Sequence, residues 1–413
     1  MLVAYYRNLL AILAVAVFCT GWPNYQSLAY LGFGQPKHWI LGLSLLSLPL
    51  WLFKPRFKQD FLKVPLVVWC FGFAFVTMLW FLGSSQSEIA GRELRGRLSD
   101  VMLMLSCLMI FASPGAVRSA RWALVFAVLF GVALNIYEFF VPLTFSLVHG
   151  RSAGLYINSN LSSEALVLGM ILSVTVLPSS FRGPFLLLTG VGIFVTFSRG
   201  GIMAWFIAVS GLLFFTKGVR AKDLVWTFLL SLLVVGIVLL PKLDTILKTM
   251  DQAGVINKNT EERLAWLTNP SGVSDHSSWS RMYVAQQAWR KFADHPWIGG
   301  GTGTMYESFD ISPHNQYLSY MLDYGVVGAT IVPLLTLALI WGARGETRRI
   351  GLLFGATILW LSFFTHTILS VEYSLVLFAL LAAMGSTAPF LAPAATKATA
   401  AGEAALGKAL SGA

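Results

Sequence analysis

The chain has 413 residues, of which 56% are hydrophobic and 12% charged, with a mean hydropathy of +0.70 and a formal net charge of +10. A soluble domain carries about 25% charged residues, so this composition excludes a water-soluble fold. Stretches such as Phe61 to Phe81 and Trp122 to Phe140 supply the roughly 20 apolar residues needed to cross about 30 Å of hydrocarbon.

Apolar segments are centred near residues 17, 46, 72, 105, 130, 170, 190, 208, 232, 330, 358 and 378. They predict an all-α polytopic membrane protein with about twelve transmembrane helices. Arg7 precedes the first segment and no small-residue cleavage site follows Cys19, so that segment is expected to be retained. Cys19, Cys70 and Cys107 are far apart, without a neighbouring His or Cys, and are expected to be small buried hydrophobes.

Helices 1–9 are assigned to residues 1–241, a large outer loop with an amphipathic helix to 242–313, and helices 10–12 to 314–386. Residues 387–413, rich in Ala, Gly, Thr and Lys, are expected to form a disordered tail. Thirteen positive charges occupy every second break: Lys54, Arg56, Lys58 and Lys63; Arg118 and Arg121; Arg182; Lys217, Arg220 and Lys222; and Arg344, Arg348 and Arg349. They mark the cytoplasmic side, which places both termini inside and the long hydrophilic stretch outside.

Against that bias, outer breaks carry Arg92, Arg95 and Arg97, then Arg151, then Arg199. Glu88 with Arg92, and Glu93 with Arg97, have the i,i+4 spacing of pairs on a surface helix lying in the interface. Arg95 is left over, and such a cluster could hold lipid phosphates. Arg199 lies in Thr196-Phe197-Ser198-Arg199-Gly200-Gly201, a break with almost no loop and no nearby acid. A charge at membrane depth costs a few kcal/mol without a partner, so a bound anion is expected there.

In the long loop, Met282, Ala285, Trp289 and Phe292 have helical spacing, and His295-Pro296 ends the pattern. Arg281 then falls in the first turn, where the helix dipole favours anions, so a phosphate shared between Arg281 and the helix end would form a binding site. Gly299-Gly300-Gly301-Thr302-Gly303 predicts closely approached backbone, and it lacks the lysine of a nucleotide-binding loop. In Ser312-Pro313-His314-Asn315, Ser312 is expected to cap a helix with Pro313 first in it, which puts His314 in the first turn. The positive dipole end would keep that imidazole neutral, as a general base must be. His38, His149, His276, His295 and His366 lack such a setting.

The first outer loop, Gly21 to His38, contains no Asp or Glu, and no Asp-x-Asp occurs in the chain. Charge neutralisation of a phosphate leaving group would then come from arginines, with no metal and no cofactor. Glu138, Glu164, Asp323 and Glu372 are scattered and are assigned to interhelical hydrogen bonding.

Arg151-x-x-Gly154 with Asn158 and Asn160, Ser198-Arg199-Gly200, Arg281, Pro296-Trp297-Ile298-Gly299, and His314-Asn315 with Gly325 and Gly328 together resemble the bacterial O-antigen ligase and O-antigen polymerase superfamily over residues 145 to 330. The resemblance implies a C-type glycosyltransferase-like membrane fold, working at the periplasmic face of the bacterial inner membrane with an undecaprenyl diphosphate-linked glycan donor. It implies that Arg199 and Arg281 bind the diphosphate and that His314 activates a sugar hydroxyl of lipid A core. Arg92, Arg95, Arg97, Arg151, Asn160 and Asn315 are further candidates for lipid or substrate binding. Membrane lipids are expected partners and nucleic acid is not. One large, late outer loop favours a ligase over a polymerase, whose pattern resembles two comparable outer loops. A lipid-linked glycan transporter would show paired broken helices or an inverted repeat, and neither is visible.

Overall fold

The structure, a computed structural model, describes residues 1–29, 34–216, 219–238 and 276–387. These fold into helices α1 Leu2–Phe18, α2 Trp22–Ala29, α3 Pro36–Ser47, α4 Pro65–Leu82, α5 Glu88–Ile110, α6 Pro114–Phe140, α7 Ser159–Ser173 and α8 Ser179–Phe194. The second half adds α9 Arg199–Phe215, α10 Ala221–Val238, α11 His276–Asp294, α12 Thr304–Ser308, α13 Gln316–Tyr324, α14 Ile331–Ile340, α15 Gly345–Leu361 and α16 Glu372–Ser386. Among the described residues, β-structure is confined to one isolated bridge between Phe57 and Thr387. The tail beyond 387 and the loop residues 242–275 lie outside the described residues.

Each hydropathy centre falls on a helical segment when α13, the 3₁₀ turn Gly325–Thr330 and α14 are taken as one stretch. Four segments have the length and composition of a membrane crossing: Pro65–Leu82, Pro114–Phe140, Ser159–Val176 and Gln316–Ile340. The pair α1 and α2, bent by 48°, makes a fifth. That is fewer than the twelve expected: several helices are too short, and α5, 23 residues long, carries too many charges in its first half. The turn at Thr196–Arg199 limits α8 to 16 residues, or roughly 24 Å at the α-helical rise. Pro49 stands just beyond the 12 residues of α3, and proline cannot continue an α-helix.

Local sequence explains where the helices begin. Side-chain oxygens of Ser87, Ser113, Asn158, Ser198 and Asn315 cap α5, α6, α7, α9 and α13, each accepting a backbone N–H of the first turn. Pro36, Pro65 and Pro114 open α3, α4 and α6, where a missing N–H costs nothing. The apolar segment of α7 is 78% buried, against 28% for α4, so α7 is central and α4 peripheral. Phe71, Phe75, Met78 and Leu82 of α4 point outward, as a lipid-facing surface would.

The basic breaks converge on one end of the bundle. Ala112 O accepts from Arg7 Nη1 at 3.1 Å and from Arg56 N at 3.0 Å, while Lys58 Nζ donates to Gly385 O at 2.8 Å. Arg121 Nε donates to Leu172 O at 2.8 Å, and Arg182 Nε to Leu177 O at 2.9 Å. Lys217 lies outside the described residues. The opposite end is closed by Tyr156 Oη donating to Cys19 O at 2.6 Å, Thr302 Oγ1 to Thr77 O at 2.9 Å and Gln316 N to Ser362 O at 2.8 Å. The three cysteines are free and buried.

Candidate functional site

The break between α8 and α9 sits at this second end. Arg199 is the first residue of α9, after the cap Ser198, and the turn is admitted by a left-handed φ of 50° at Phe197. Arg151 Nε donates to Thr196 O at 3.1 Å and its Nη2 to Asn160 Oδ1 at 3.0 Å. Arg151, Asn160 and the Arg199 turn, widely spaced in sequence, are thereby joined. Arg151 is held in place by Glu138. One carboxylate oxygen accepts from Phe145 N at 2.8 Å and from Ser146 N, and the other from Ala153 N at 2.6 Å and Gly154 N at 2.9 Å. Glu138 therefore secures a loop, where interhelical bonding was expected.

The other side of the site is the entry to α13. Asn315 caps this helix, its side chain accepting from Leu318 N at 3.1 Å. His314 thus stands ahead of the helix at φ 48°, its N–H donating to Ser312 Oγ at 3.2 Å, and not in the first turn as expected. Asn315 has the extended backbone of a cap, whereas the left-handed His314 cannot continue a helix back to Pro313. The imidazole is nonetheless held neutral: burial, and secondly the charge of Arg281, push its pKa down to about 4. The sequence reading had the right protonation state for the wrong reason.

Arg281 also sits differently from expectation. Helix α11 already includes His276, so Arg281 is at least in the second turn, beyond the free N–H groups of a helix start. Burial lowers its pKa, opposed by the carboxylate of Glu164. Glu164 accepts from Tyr373 Oη at 3.2 Å across α7 and α16. The charge of Arg281 is thus felt at His314 and that of Glu164 at Arg281. The predicted apolar face of α11 is only half right: Met282 and Trp289 are exposed, while Ala288 and Phe292 pack with Met305 and Leu322. The backbone after α11 is tied down, Gly300 N donating to Leu322 O at 2.9 Å and Gly301 N to Asp323 O at 3.0 Å. Gly301 has a φ of +95°, and a side chain there would meet Ser84 at 2.6 Å, so the glycine run is closely approached backbone, as expected.

His366, which the sequence offered no reason to select, joins the site. Its ring centroid is 5.3 Å from that of His314, with the planes at 78°. Its Nδ1 is buried without a hydrogen-bond partner, and burial followed by His314 pushes its pKa down to about 4. The loop after α15 brings it there, anchored where Gln316 N meets Ser362 O and where Phe364 packs against Gly200.

The arginines of α5 divide. Glu88 to Ile110 is one continuous helix, so no separate interfacial helix exists here. Arg92 pairs with Glu88 at 3.1 Å at the exposed start. Arg97 is buried, bonded to Asp323 and Tyr324 Oη, 3.6 Å from Glu93, and stacked 5.2 and 5.1 Å from the rings of Tyr320 and Tyr324. It forms a buried ion pair. Arg92, Arg95, Arg97 and His366 all line one cavity of about 820 Å³.

Helices of spanning length and this end-on polar site define a multi-pass membrane protein. Residues 184–333, over a third of the chain, match the family model described as O-antigen ligase, which supports the superfamily resemblance carried by the motifs. The matched segment carries Arg199, Arg281 and His314; Arg92, Arg95, Arg97, Arg151, Asn160 and His366 lie outside it. No curated protein matches the chain.

Proposed function

We propose that this protein is an O-antigen ligase of the bacterial inner membrane. It would join a glycan carried on undecaprenyl diphosphate to a sugar hydroxyl of lipid A core at the periplasmic face. In this reading the chain crosses the membrane twelve times, residues 242–313 form the periplasmic loop, and both termini are cytoplasmic. The observation that carries it is a neutral imidazole, His314, within the electrostatic reach of Arg281, both in the segment that matches the family model.

The chemistry is a single displacement. His314 accepts the proton of the acceptor hydroxyl as its oxygen bonds to the anomeric carbon of the donor. The bond from that carbon to the phosphate oxygen breaks, and its electron pair leaves with undecaprenyl diphosphate. Arg199 and Arg281 offset the charge developing on the diphosphate, Arg199 at the anion-favouring start of α9. The anomeric configuration inverts, and the proton on His314 passes to solvent or the departing phosphate. A positioned base contributes typically 10²- to 10⁴-fold.

Purified protein in detergent is expected to transfer glycan from the lipid-linked donor to lipopolysaccharide lacking O-polysaccharide, with no transmembrane gradient and in the presence of EDTA. Loss under EDTA, restored by Mg²⁺, would expose a metal requirement. Deleting the gene separates ligase from polymerase: accumulated lipid-linked polymer supports the ligase, whereas single repeats on core would make the protein a polymerase.

A further inference from the structure

The cavity of about 820 Å³ that reaches His366 lies between the starts of α3, α5 and α13 and the loop before α16. Its wall is unlike a lipid groove. Glu93, Asp100 and Glu372 supply carboxyl groups beside the cations Lys37, Arg92, Arg95 and Arg97, and Tyr306 and Tyr320 supply ring surface. Gln316 is the decisive residue: it is 2% exposed, lines this cavity, and its Oε1 makes no hydrogen bond. A buried amide oxygen without a donor destabilises the fold, a cost that a ligand hydroxyl would offset. Beside it, His366 Nδ1 is likewise buried and without a hydrogen-bond partner.

A buried amide oxygen without a donor, beside mixed charges and aromatic faces, calls for the hydroxyl hydrogens that a polyhydroxylated ligand brings and that a hydrocarbon tail or an ionised diphosphate lacks. We propose that this cavity is the subsite of the acceptor sugar, with Gln316 and His366 bonding its hydroxyls. The assignment rests on the reading of His314 as the base. The cavity meets the histidine pair at His366, whereas Arg281 bears on His314. Acceptor and leaving group would thus reach the base from different directions, as in-line displacement requires.

Two variants test this. Gln316→Leu removes the orphaned oxygen while keeping the volume, so a purely structural residue at this position would lose little or gain stability. A Cβ added at Gly96, on the cavity wall, meets no atom within 4 Å, so Gly96→Trp starts from open space and occupies the cavity, with an unchanged unfolding midpoint in detergent as the check that it folds. The probe is core oligosaccharide released by mild acid from lipopolysaccharide lacking O-polysaccharide. Its binding without donor should weaken roughly fivefold to tenfold in Gln316→Leu, the worth of one hydrogen bond, and be lost in Gly96→Trp. In the transfer assay the acceptor KM should rise by the same factor with the donor KM unchanged. A rise in the donor KM instead, or normal oligosaccharide binding by Gly96→Trp, overturns the assignment. Failure of the wild type to transfer glycan would count against the ligase reading alone, because oligosaccharide binding is read without turnover.

Discussion

His314 and His366 meet ring edge to ring face, 5.3 Å apart, although 52 positions separate them in the chain. Both imidazoles titrate near 4, well below the ordinary 6.5, chiefly because they are buried. A base working from the neutral form should therefore keep its activity down to about pH 4, and the acid limb of kcat should report that value. For stability the sign is the same: between about 4 and 6.5 the unfolded chain binds more protons, so stability rises with pH across that window. A kcat limb near 6.5 would show that His314 is solvated in the working enzyme. His314→Ala should abolish transfer while leaving binding of the lipid-linked donor largely intact.

Arg199 and Arg281 should fail in another way, because they are assigned to the leaving group. Alanine at either position is expected to weaken donor binding together with transfer. Lysine keeps the charge without the planar fork, so it should restore only part of both. Full restoration by lysine would mean that the diphosphate is held by charge alone.

The arginines of α5 can be told apart by stability. Removing one partner of a buried pair typically costs about 3 to 5 kcal/mol, so Arg97→Met or Asp323→Asn should lower the unfolding midpoint in detergent strongly. Arg92→Ala with Arg95→Ala should leave that midpoint in place and raise the apparent KM more than it lowers kcat, if these exposed residues meet lipid or substrate at the cavity rim. An unfolding midpoint unmoved by Arg97→Met would refute the structural assignment.

Topology follows from the gathering of basic breaks at one end. Reporter fusions within 55–62 and 344–349 should read as cytoplasmic, and those within 255–275 as periplasmic. Contrary readings at two of these three sites would rule out the twelve-crossing arrangement.

How much of this was legible in the sequence depended on whether the cause was local. Caps and prolines are local signals, and Ser87, Ser113 and Pro65 start helices where such residues ordinarily do. His314 was found through its neighbours, yet its neutrality comes from burial and from Arg281, 33 positions earlier. Nothing near His366 distinguishes it, since its partner arrives from another helix entry. The pairing of Arg97 with Glu93, four residues away, was legible and is present at 3.6 Å, while Asp323, 226 positions distant, has no sequence signature. Glu138 looked like an intramembrane acid, and its four backbone donors are supplied by a loop whose course only the folded chain defines.

Three of the five non-glycine residues with left-handed backbone among the described residues, Ile157, Phe197 and His314, stand at the candidate site: beside Asn158, beside Ser198 and Arg199, and at the proposed base. Such a conformation costs on the order of 1 to 3 kcal/mol per residue, and glycine would bear it more cheaply. At these positions, selection for a sturdier protein and selection for turnover pull in opposite directions. A chain freed from the reaction would drift there toward glycine and asparagine, gaining robustness as it lost its chemistry.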